Sequence, residues 1–246
     1  MLIDTYGRVA TDLRVSLTDR CNLRCTYCMP EEGLQWLAKP DLLTDDEIVR
    51  LIDIAVTRLG ITEVRFTGGE PLLRPGLVGI VERVAALASR PQTSLTTNGI
   101  GLSRTATALK AAGLDRVNVS LDTLRPDVFK TLTRRDRHKD VIAGLEAARD
   151  AGLTPVKVNT VLMPGLNADE APTCWPGPWR TTTSCVSSSR CPWTPSTAGS
   201  ARAWSPRATS SPRCVRVSSS RRRAPTSAAP PRPSAGSSTA ARTAWA

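Results

Sequence analysis

The chain has 246 residues, enough for one large domain or a domain with an appended tail, and it carries 33 Lys plus Arg against 22 Asp plus Glu. It has no run of eighteen apolar residues, and Met1 to Thr5 lacks the basic start and apolar core of a secretory signal. A soluble, cytoplasmic protein is therefore expected. The net charge of +11 invites a nucleic-acid partner, but its location argues against one: residues 1–170 hold 22 basic and 22 acidic side chains, whereas 171–246 hold 11 arginines and no acid.

Asp12 to Thr18 alternates well enough for a first strand, which runs straight into Cys21, Cys25 and Cys28, spaced C-x3-C-x2-C. Thiols spaced so tightly, in a reducing compartment, point to a metal before a disulfide. Three ligands fall one short of a closed zinc site, and the only histidine, His138, lies far down the chain. A 4Fe–4S cluster held by three cysteines would keep one iron open for a cofactor or substrate. A zinc-binding interaction module and three incidental thiols remain the competing readings.

Thr44 and Glu47 form a capping box, followed by Ile48, Leu51, Ile52, Ala55, Val56 and Leu59 at helical spacing and by Gly60 as the stop. Glu63 to Thr67 is the second strand, ending at Gly68-Gly69-Glu70-Pro71. A helix is expected from Pro75 to Ser89, with the proline in its first turn. Ser94 to Thr97 is a short third strand closed by Asn98-Gly99, and a helix near Arg104 to Ala112 leads to a fourth strand, Arg116 to Leu121. Pro126 opens a helix that is interrupted at Arg134 to Arg137, resumes from Val141 to Ala151 and stops at Gly152. Val156 to Leu162 is the fifth strand. Regular alternation of strand and helix argues for a parallel α/β sheet, whose active sites lie at the carboxyl ends of the strands. Every motif here falls at those ends. His138, between Arg137 and Lys139, is expected on the surface.

The cysteine motif, with an aromatic before its third member and Gly68-Gly69-Glu70-Pro71 downstream, resembles the radical S-adenosylmethionine (SAM) enzymes. That resemblance implies a partial (β/α)6 barrel, here incomplete with five recognisable strands. It also implies one 4Fe–4S cluster on Cys21, Cys25 and Cys28, with SAM on its open iron. In the family one electron splits SAM to a 5′-deoxyadenosyl radical that abstracts hydrogen from the substrate. Longer stretches, Arg14 to Asn22, Tyr27 to Pro30, Arg65 to Pro71, Leu95 to Gly99, Asn118 to Asp122 and Val156 to Asn159, are similar to the GTP 3′,8-cyclases that open molybdenum cofactor biosynthesis. The likeness covers about residues 5 to 170. It makes Tyr27, Gly68, Gly69, Glu70 and Ser120 the SAM-binding residues, and Arg14, Arg65, Thr96 and Lys157 the GTP contacts. Cations suit a nucleotide triphosphate, and Lys157, flanked by Val156 and Val158, faces opposite to them, toward a barrel interior. The catalytic residue proper is not identified. A reducing electron donor is implied as a partner, and another radical-SAM enzyme acting on peptide or RNA is the alternative activity. Oligomeric state is left open.

Beyond Glu170 the composition breaks: five of six tryptophans and four of seven cysteines fall in 171–246, with no Leu, Ile, Phe, Tyr, Met, Lys, Asn, Gln or His. Two domains are expected, 1–170 as the radical-SAM core and 171–246 as a low-complexity tail without a fold. The family's sixth strand, its following Met and its second three-cysteine cluster are not recognisable there, and Cys174, Cys185, Cys191 and Cys214 lack cluster-like spacing. The bias fits a GC-rich gene read out of frame. One choice of codons for Ser184 to Trp193, shifted, yields Leu-Arg-Phe-Ile-Glu-Gln-Met-Pro-Leu, similar to the missing strand and its Met. A disordered basic tail that binds nucleic acid is the competing reading.

Overall fold

Apolar and polar residues alternate along the central strands, and that period sorts their side chains onto two faces. The computed structural model describes residues 1–170 and the backbone of Thr183–Cys185. A short antiparallel pair comes first, β1 (Leu2–Ile3) with β2 (Val9–Ala10), which the sequence did not signal. Five strands then pair in parallel and in chain order: β3 (Asp12–Ser16), β4 (Glu63–Thr67), β5 (Gln92–Thr97), β6 (Arg116–Ser120) and β7 (Lys157–Thr160). The backbone of β8 (Thr183–Cys185), inside the segment expected to carry no fold, pairs in parallel with β7. The rest of 171–246, including Cys174, Cys191 and Cys214, lies outside the described residues.

Among the described residues, five helices connect the strands. α1 (Asp45–Leu59) begins at the expected capping box, with the Thr44 side chain accepting from the Glu47 amide, and ends at Gly60 in the left-handed region. α2 spans Leu77–Ala85, so Pro75 lies outside it; a short 3-10 turn, Pro71–Leu73, occupies the approach. α3 (Leu102–Ala111), α4 (Pro126–Thr133) and α5 (His138–Asp150) complete the set, with Arg134 at φ 54° breaking α4 from α5 as the sequence indicated.

Val64, Phe66, Leu95, Val117, Val119 and Val158 are buried in one cluster with Ile52, Ile80, Leu109 and Leu145 of the helices. Parallel strands covered on both faces are usually apolar throughout. These are not. The alternate positions include Arg14, Arg65, Arg116 and Lys157, the carboxylates Asp12 and Glu63, and Thr96 and Asn118, so the face turned from the helices is polar with an excess of cations. Parallel strands in chain order, with helices on one side and a polar inner face, form the wall of a partial barrel.

Candidate functional site

The cysteine loop is fastened at both ends. At its start, β3 and β4 keep pairing past their last strand residues: Leu17 N–H donates to Thr67 O (2.9 Å), Gly69 N–H to Thr18 O (2.7 Å) and Glu70 N–H to Arg20 O (2.7 Å). Only glycine permits that approach. A Cβ on Gly69 would lie 2.3 Å from Arg20 O and 2.4 Å from Asp19 O, and one on Gly68, at φ +148°, 2.5 Å from Thr18 O. Farther along, Arg24 N–H donates to Thr133 O (3.0 Å) and Thr26 N–H to Leu132 O (2.8 Å), tying the loop to the end of α4. The two glycines thus set the height at which the thiols leave the sheet.

Glu70 is 1% exposed, and its carboxylate is fully engaged. Oε1 accepts from Leu72 N–H (3.0 Å) and the Thr97 hydroxyl (2.7 Å), and Oε2 from Asn98 N–H (2.7 Å). Burial nevertheless pushes this carboxyl up from its ordinary value. Its side chain therefore clamps the end of β5, and what residue 70 can offer a ligand is backbone. Asn98 in turn donates from Nδ2 to Asn22 Oδ1 (2.7 Å), carrying the clamp into the cysteine loop.

Tyr27 is held by Asp122, whose Oδ2 accepts from its hydroxyl at 2.7 Å, while Oδ1 accepts from Val161 N–H at 2.9 Å. Burial raises both groups, and the Asp122 charge raises Tyr27 further. Burial also lifts the Cys21 thiol, and lifts Cys25 to about 12 with Asp122 and the other two thiols adding to it. Asp122 belongs to the Asn118 to Asp122 motif but has no role assigned from sequence; its signal is a carboxylate two residues beyond the carboxyl end of β6.

Cys21, Cys25, Cys28, Tyr27, Gly68, Gly69, Thr96 and Ser120, eight of the twelve residues singled out in the sequence, line one pocket of about 210 Å³. Asp122, Asn98, Thr97 and Phe129 line it too. Cys28 is exposed, and Cys21 and Cys25 are half-buried. None of the three is joined in a disulfide among the described residues. Glu70, Arg14, Arg65 and Lys157 are not among the lining residues; Lys157 shares the register row of Thr96, and Arg14 and Arg65 fall one row nearer the amino ends of the strands.

Those three cations belong to rows across the sheet. Arg14 pairs in register with Arg65, and Thr96 with Asn118, which pairs with Lys157. Two residues along a strand span about 7 Å. The arginine row therefore lies about one such step from the row of Thr96, which already touches the pocket. Arg65 donates to Asp12 Oδ2 at 3.0 Å, whereas Arg14 and Lys157 make no ion pair among the described residues. His138, expected at the surface, is instead 7% exposed, with its ring edge-on to Phe129.

A family profile described as the Radical SAM superfamily matches residues 15–173. A protein of Streptomyces coelicolor named GTP 3′,8-cyclase is 92% identical over 172 residues, which are 70% of this chain and 50% of that protein. One of the same name from Mycobacterium sp. strain KMS is 65% identical over 170 residues, 69% of this chain and 49% of its own. Among solved structures, Streptococcus suis SuiB superposes with a TM-score of 0.53 at 20% identity, covering 67% of this chain and 36% of that one, a likeness of fold alone. The chain spans about half the length of the curated relatives it matches.

Proposed function

We infer function from one premise: the chain belongs to the Radical SAM superfamily. That membership implies a 4Fe–4S cluster and SAM, and the residues present fit both. Three thiols from a single loop, with no fourth cysteine and no histidine among the pocket's lining residues and with Asp122 already hydrogen-bonded to Tyr27 and Val161, suit a cluster that keeps one corner for an exogenous ligand. Cys21, Cys25 and Cys28 would hold it. Tyr27, Gly68, Gly69 and Ser120, around the same cavity, would receive SAM. Cluster and SAM together supply one-electron chemistry that ends in removal of a hydrogen atom from the substrate.

Within the superfamily the chain is read as the core of a GTP 3′,8-cyclase, the name carried by relatives at 92% and 65% identity. The substrate is GTP, and a cytoplasmic electron donor completes the reaction. The observation that carries this reading is the polar inner face of the sheet, where Thr96 lines the thiol pocket, Lys157 shares its register row, and Arg14 and Arg65 occupy the adjacent row. A guanidinium binds phosphate oxygens in pairs, and cations on separate strands can spread over a triphosphate. Tyr27 and Asp122, joined by their hydrogen bond, fix one wall against which the adenosyl group would lie.

We place a domain boundary near residue 170 and propose that this chain itself does not cyclise GTP. Residues 171–246 hold no acid, no leucine and no cluster-like cysteine spacing, where the relatives continue for the other half of their length. Anaerobic reconstitution tests the assignment. The protein should turn brown, absorb near 400 nm and cleave SAM when given dithionite. A colourless preparation with zinc on all three thiols would overturn it.

A further inference from the structure

Arg14, Arg65, Ser94 and Arg116 form one continuous register row across β3, β4, β5 and β6. We propose that Arg116, to which no role has been given above, is a further ligand-binding residue: the third guanidinium of a row that takes the phosphates of a nucleoside triphosphate. The proposal rests on the GTP reading and deepens it.

The two inner arginines are built alike. Arg65 Nη2 donates to Asp12 Oδ2 at 3.0 Å, and Arg116 Nη2 donates to Glu63 Oε2 at 2.9 Å. Both carboxylates belong to the row one step toward the amino ends of the strands, where Asp12 pairs in register with Glu63. Each guanidinium is thus anchored from below by one nitrogen. Its Nε is buried and has no partner among the described residues. A third such atom, Oδ1 of Asn118, lies on the same face two residues beyond Arg116, and that side chain makes only a long 3.5 Å contact, to Thr96. Five buried side-chain polar atoms lack partners among the described residues, and three of the five fall within two adjacent rows of this face. Buried polar groups in folded proteins are nearly always paired, so orphans gathered in one place mark where a polar ligand belongs. Arg14, Arg65, Arg116 and Lys157 are four cations against the two carboxylates of Asp12 and Glu63, leaving the face positive. A guanidinium with free edges is suited to phosphate, which accepts two N–H bonds at once.

The competing account is that Arg116 only neutralises Glu63, and a paired substitution separates the two. Arg116→Gln leaves the half-exposed Glu63 carboxylate without its partner, whereas Glu63→Gln with Arg116→Gln removes the ion pair as a unit. Titration calorimetry on the full 246-residue chain, with GTP, ATP and inorganic triphosphate as probes, reads the outcome. Both variants should bind GTP and inorganic triphosphate about tenfold more weakly than the parent. A double variant that binds GTP within about twofold of the parent makes Arg116 a structural partner and overturns the inference, leaving the GTP reading in place. Arg116-dependent binding in which ATP does as well as GTP removes guanine from the reading and keeps the row. No binding of any probe by the parent chain overturns both.

Discussion

His138 illustrates what a single side chain can report. Its two neighbours in sequence, Arg137 and Lys139, are exposed, yet adjacent residues on a helix point in different directions. His138 opens α5 and shares a stripe with Val141 and Leu145, three and seven residues on, both fully buried. Burial holds the imidazole below its ordinary 6.5, against the Thr123 backbone and the Glu170 charge, both of which favour the proton. The folded state thus resists a proton that the unfolded chain accepts. Stability from this group is complete above about pH 6.5 and declines as the pH falls below it, by at most about 1.4 kcal/mol per pH unit. Urea unfolding at pH 7.5 and 5.5 should show a smaller loss for His138→Gln than for the parent. Equal losses would mean the ring titrates normally. Glu70 poses a different problem, because its three donors have nowhere else to turn. Glu70→Ala should cost at least about 3 kcal/mol in urea unfolding, since it strands buried N–H and O–H groups. A loss under about 1 kcal/mol would show that water replaces the carboxylate.

Elements were legible where one short stretch carried its own punctuation. Thr44 with Glu47 and then Gly60 bracket α1, and β4 was bounded correctly from Glu63 to Thr67 by its alternation. α2 begins at Leu77 and not at Pro75, because a proline suits a first helical turn but the chain spends those residues leaving the 3-10 turn at Pro71–Leu73. The thiols, the glycines and Ser120 could be read because each sits in a local motif. The rows could not: Arg14 and Arg65 become neighbours only through the register of parallel strands joined by a long crossover, and nothing local encodes that pairing. The same geometry gives Gly69 its meaning. Its Cβ would strike the backbone of Asp19 and Arg20, so Gly69→Ala must displace the start of the cysteine loop. The expected result is a chain with parental circular dichroism that takes up less than half the parental iron on anaerobic reconstitution. Full iron uptake would show that the loop can move without disturbing the thiols.

At the scale of the whole chain, two compositions meet near residue 170, and they bear on activity more than any single side chain. The first 170 residues supply a neutral, strand-and-helix core whose pocket gathers the thiols; the remainder supplies 11 arginines and no acid. We propose a frame change as the origin of that break, because an out-of-frame GC-rich gene would produce the Arg, Ala, Pro and Ser seen there. It makes a prediction at the level of DNA: from codon 165 onward, a single-base shift should restore a reading that resembles the other half of the Streptomyces coelicolor relative. The protein chemistry follows from it. The chain as it stands should bind about four irons and cleave SAM without cyclising GTP, while the restored chain should bind about eight and form the cyclised product. Eight irons or cyclised product from the present chain would place a second cluster in 171–246 and refute the frame change. If no single-base shift restores such a reading, and the isolated tail binds RNA with a steep salt dependence, the arginines belong to a nucleic-acid-binding extension instead.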